Sequence, residues 1–139
     1  MPSILDGKWT YRSFYNDPAM VGDDKQKAYD LIFAEATFTF EISGNELKGI
    51  IDWGSGGLDL KGTVCPAGPL TVQIVGMGRP STQTDGWRYD YNAALAYEWP
   101  NAIKQMPALV GTVIRVNAHG PKSPAGVTAS FIAVKQPTS

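Results

Sequence analysis

GWRYDYNAALAYEWP, residues 86–100, is the stretch on which the fold turns. Steps of two from Trp87 give Trp87, Tyr89, Tyr91, Ala93, Leu95, Tyr97 and Trp99. The other phase gives Arg88, Asp90, Asn92, Ala94, Ala96 and Glu98. A period of two belongs to a β-strand with one face buried. Burial is worth roughly 25 cal/mol per Å2 of apolar surface, so leaving these rings in water forfeits on the order of several kcal/mol. Burying Arg88 and Asp90 without a pairing partner costs more. The aromatic phase is therefore read as facing inward. The inverted phase, with Arg88, Asp90 and Asn92 around a polar lumen, requires a second subunit over the rings.

Working outward from this stretch, seven other segments have strand character: residues 7–15, 32–43, 46–53, 58–64, 69–78, 107–116 and 127–135. Between them lie Gly-, Pro- and Asn-containing turns such as SGNE and GSGG, where Gly44-Asn45 suits positive φ. Residues 17–31 lack the alternation and predict a short helix near 23–31, capped by Asp23 or Asp24. The prediction is an all-β chain, one domain over residues 1–139. Consecutive strands with short turns fit a sandwich or a closed up-and-down barrel. Closure removes exposed sheet edges, which favours an eight-stranded antiparallel up-and-down β-barrel. Eight strands leave an interior just wide enough for side chains or one small ligand.

Hydrophobic residues are 43% of the chain and charged residues 18%, a globular and not a disordered composition. The net charge is -1 with no basic block, so no nucleic-acid partner is expected. No apolar run has the length of a membrane-spanning helix, and MPSILDGKW turns polar too early for a signal peptide. With Cys65 as the single cysteine, the expectation is a cytoplasmic protein with no internal disulfide and no membrane partner.

Gly7-Lys8-Trp9, a G-x-W at the head of the first strand, resembles the opening of the lipocalin and streptavidin-like (calycin-type) β-barrel proteins of bacteria. In those families the tryptophan plugs the closed end, and a basic side chain from a late strand packs over it. Arg115 and Lys135 are the candidates for that side chain. The second lipocalin motif and the biotin-binding residues have no counterpart, so the resemblance implies an architecture and no activity.

With Trp9 inward, Tyr11, Ser13 and Tyr15 share its face, and Thr10 and Arg12 face out. The expected ligand-binding residues are Tyr11, Ser13, Tyr15, Phe38, Phe40, Tyr89 and Tyr91, around a small, mostly apolar or aromatic molecule. Two further functions stay open. One is a cofactor-independent cyclase or isomerase, with Tyr89, Asp90 and Tyr91 as candidate catalytic residues moving protons. The other is a solid-core structural oligomer. His119, the single histidine, sits in a turn and is read as exposed there, or as facing the barrel mouth. One histidine and one distant cysteine give too few ligands for zinc, and neither metal nor cofactor is expected. Residues 107–116 and 127–135 are apolar in both phases, so a homo-oligomer joined through strands six to eight is expected.

Overall fold

The computed structural model describes residues 3–66 and 68–137. Strands β1 (Gly7–Phe14), β2 (Ile32–Ser43), β3 (Glu46–Asp52), β4 (Gly57–Cys65), β5 (Thr71–Gly78), β6 (Arg88–Leu95), β7 (Ala108–Arg115) and β8 (Thr128–Lys135) follow one another around a closed antiparallel barrel. Each pairs with the next, and β8 returns to β1 through Trp9–Lys135 to Phe14–Ser130. Among the described residues the one helix, α1 (Lys25–Asp30), lies in the β1–β2 connection. Asp24 caps it, its Oδ1 accepting from the amides of Gln26 at 2.9 Å and Lys27 at 3.2 Å. None of its residues is buried. Among the described residues no helix is long and apolar enough to cross a membrane.

The sixth strand is shorter than its alternation predicts. Its ladder with β7 ends at the pair Leu95–Leu109, and the chain then leaves the barrel. Tyr97 and Trp99 keep the inward phase but are 71% and 67% exposed, packed edge-to-face against each other at 4.8 Å. Within β6 the predicted phase holds: Tyr89, Tyr91 and Ala93 face the interior and are buried. Arg88 and Asp90 lie on the outer wall, paired at 3.0 and 3.1 Å.

The strand directions define two ends. The starts of β1, β3, β5 and β7 and the ends of the even strands form the closed end. There Trp9 is fully buried and its indole N–H donates to the Leu5 carbonyl at 3.0 Å. Leu5, Leu47, Phe38 and Phe40 complete the plug. Phe40 lies 6.3 Å from Trp9, Phe38 lies 4.8 Å from Phe40, and Tyr11 packs edge-on to Phe38 at 4.9 Å. Offset and edge contacts of this kind add to simple area burial. Lys135 stands opposite Trp9 in the ladder and its ammonium donates to the Ile4 carbonyl. Arg115, the other candidate for that place, is at the opposite end of the barrel.

On the outer wall of β7 and β8, Val110, Ile114 and Ile132 are 48%, 38% and 39% exposed. Val110 and Ile132 are direct ladder partners.

Candidate functional site

The open end gathers the connections β1–β2, β3–β4, β5–β6 and β7–β8. Beneath them lies a cavity of about 330 Å3. Its floor is formed by Tyr11, Ile51, Leu58 and Tyr91, and its upper wall by Tyr15, Phe33, Trp53, Trp87, Tyr89 and Arg115. Small side chains at Ala34 and Ala36 leave the room: Ala36 pairs with Tyr11 in the ladder and shares its inward face.

Two long connections cross at the rim. In residues 79–87, Thr84 is buried and its hydroxyl donates to the Gly57 carbonyl at 2.9 Å. Gly78 is required beneath it, because a Cβ there would collide with the Thr84 carbonyl. In residues 116–127, Gly120 takes φ +115°, a conformation open to glycine, and the amide of Ser123 donates to its carbonyl at 3.0 Å. The His119 amide donates to Ser123 in turn, also at 3.0 Å. The Asn117 amide side chain donates to the Gly86 carbonyl at 3.1 Å and ties the two connections together.

Where they meet, His119 lies flat on Trp87, with ring centroids 3.6 Å apart and planes 10° apart. Trp53 continues the stack at 5.9 Å and 16°. One wall of the mouth is thus three near-parallel rings. Below it, the Tyr89 hydroxyl is 2.8 Å from His119 Nε2 and accepts from Arg115 Nε at 2.8 Å. Arg115 can only donate to the phenol oxygen, which leaves the phenol's own proton for a neutral His119 to accept at Nε2. In that arrangement the imidazole carries its proton on Nδ1.

The electrostatics agree. Burial, and then the Arg115 charge, lower the His119 pKa below its ordinary 6.5. An unfolded chain therefore takes up this proton first as pH falls. The His119 contribution to stability is intact above pH 6.5 and declines as pH drops toward the lower folded-state value. A proton NMR titration of the imidazole should show a midpoint below 6.5, and a midpoint at or above 6.5 contradicts this packing. Burial raises the Tyr11 and Tyr91 phenols above their ordinary range. Both stay protonated through neutral pH and serve as O–H donors, not as bases.

The residues expected from the sequence separate by depth and by face. Tyr11, Tyr15, Tyr89 and Tyr91 meet around the cavity. Phe38 and Phe40 face inward but lie below it, in the plug. Ser13 is fully buried, its hydroxyl directed to the Ala34 carbonyl at 3.4 Å, and it is not part of the wall. Asp90 faces outward, as its phase predicts, bound to Arg88, and does not line the cavity with Tyr89 and Tyr91. Trp53, where the third strand meets its turn, is read from the sequence as closing the mouth or covering a subunit boundary, and Trp87 opens the inward phase; both line the wall, together with Phe33, which the sequence does not single out. Among the described residues no three His, Cys, Asp or Glu side chains cluster as a metal site. No protein-family model matches the chain, and no curated protein matches it in sequence.

Proposed function

We propose that the open end of the barrel binds one small, mostly aromatic ligand. The observation that carries this reading is the half-filled interior: a plug of large rings at one end and an aromatic-walled cavity at the other. A volume of about 330 Å3 is near the lower limit for small-molecule sites, which run from roughly 300 to 1,000 Å3. It suits one or two fused rings. The wall rings supply flat apolar surface, and the Tyr11, Tyr89 and Tyr91 hydroxyls supply a few fixed polar atoms. The Trp9 plug and the up-and-down closure support kinship with lipocalin and streptavidin-like barrels.

A neutral two-ring probe, 2-naphthamide, tests the reading. Binding to the native state alone raises stability by about 2.7 kcal/mol at a hundredfold excess over Kd. The expected result is a melting temperature that climbs with probe concentration and a single site by calorimetry. No rise at millimolar probe contradicts it. A second reading, a cofactor-independent isomerase or cyclase, rests on the Tyr89–His119 contact, which joins a phenol on the cavity wall to an imidazole within hydrogen-bond distance of it. In that case Tyr89→Phe removes turnover and leaves binding nearly unchanged. Equal loss of both argues against it.

A further inference from the structure

We propose that the ligand is a small aromatic acid and that Arg115 holds its carboxylate. The inference rests on the binding reading above and specifies the ligand's charge. Arg115 is 8% exposed, yet no carboxylate lies within ion-pair distance of it among the described residues. The ion pairs there are Arg12–Glu35, Arg79–Asp59 and Arg88–Asp90, all on the outer surface or rim. The protein acceptors of Arg115 are both neutral: the Tyr89 hydroxyl at 2.8 Å and the Pro124 carbonyl at 3.2 Å. Its guanidinium rests on the rings of Phe33 and Tyr89, 5.4 and 5.7 Å from their centroids.

A guanidinium carries five N–H donors in a planar fork. Two are used by the protein, and the group lines the cavity. A charge withdrawn from water without a counter-ion is costly, and an entering anion relieves that cost. The contact is also strong, because Arg and carboxylate match in geometry and both are charged.

The charge count selects the kind of acid. Glu35 is the one acidic residue along the cavity, and its carboxylate turns outward to Arg12 at 3.8 Å. Burial and the neighbouring Arg115 charge favour the neutral form of His119. One positive charge therefore faces the ligand. A monoanion is balanced by it, whereas a phosphate dianion brings a second negative charge into an apolar site. The ring walls receive the flat body of the acid, and the Tyr89 hydroxyl, fixed by Arg115, borders the carboxylate position.

Calorimetric titration of 2-naphthoate against its neutral isostere 2-naphthamide tests the assignment. In the unaltered protein the acid should bind at least about tenfold tighter than the amide, the size of one charge-assisted contact. In Arg115→Gln the acid-to-amide affinity ratio should fall to about one, a ratio taken within the variant so that any loss common to both compounds cancels. Arg115→Lys should retain part of it. An amide that binds as tightly as the acid overturns the proposal and leaves the cavity reading standing. A preference that survives in Arg115→Gln overturns Arg115 as the anchor. If neither compound binds, the binding reading fails and this proposal fails with it. Arg115 also braces Tyr89 and Pro124, so should the Gln variant not fold, the acid–amide ratio in the unaltered protein decides.

Discussion

Replacing Trp9 with alanine is expected to destabilise the protein by about 3–5 kcal/mol, the usual range for truncating a buried tryptophan. Trp9 is fully buried and touches the plug on all sides, with Phe40 6.3 Å away. Its indole N–H also meets the Leu5 carbonyl at 3.0 Å, and alanine leaves that buried acceptor without a partner. Domains of this size are stable by roughly 5–15 kcal/mol in total, so the loss is a large share. Equilibrium urea unfolding measures it. Trp9→Phe, which keeps most of the ring volume, should cost distinctly less. A loss under about 1 kcal/mol for Trp9→Ala would mean that the closed end is not the fold's main packing centre.

The second large effect is on binding. Ala36→Trp should reduce affinity for 2-naphthamide by at least about a hundredfold while the barrel stays folded. Ala36 faces inward beside Tyr11 and is one of the small residues that leave the cavity open. Forcing a large side chain into a filled core costs about 1–3 kcal/mol or more in strain. Here the indole enters existing space, so the melting temperature should move by only a few degrees. The same substitution at Ala129 or Ala133, both fully buried in β8, has no such space and serves as the contrast. A fold lost at Ala36 as readily as at Ala129 would show that the interior is solid at both ends.

Alternation located every strand, because one face of each is buried and the side-chain period of a strand is two. The reading of β2 as residues 32–43 coincides with Ile32–Ser43. Alternation does not say where a strand leaves its sheet. Tyr97 and Trp99 carry the right phase, but at that point no neighbouring strand is left to pair with them. Nor does it report depth along the barrel axis. Tyr11 and Phe40 share the interior, yet one floors the cavity and the other lies in the plug, a difference set by ladder register.

The place of Arg115 is legible in the strand count. In an up-and-down barrel, Trp9 at the start of an odd strand shares its end with Lys135 at the finish of an even one. Arg115, at the finish of an odd strand, must lie at the other end. The same parity puts Trp53 and Trp87 at the mouth with it. His119 was not readable in this way. Its position depends on Gly120 and on the Asn117–Gly86 contact between two connections, and neither has a periodic signature.

The chain has four tryptophans, and their indole N–H signals in a proton–nitrogen correlation spectrum report on four places at once. Trp53 and Trp87 border the cavity, Trp9 sits in the plug, and Trp99 is exposed beyond β6. Titration with 2-naphthoate should shift Trp53 and Trp87 saturably and leave Trp9 and Trp99 in place. Unmoved Trp53 and Trp87 signals, or a shift confined to Trp99, would contradict a ligand site in the open half of the barrel.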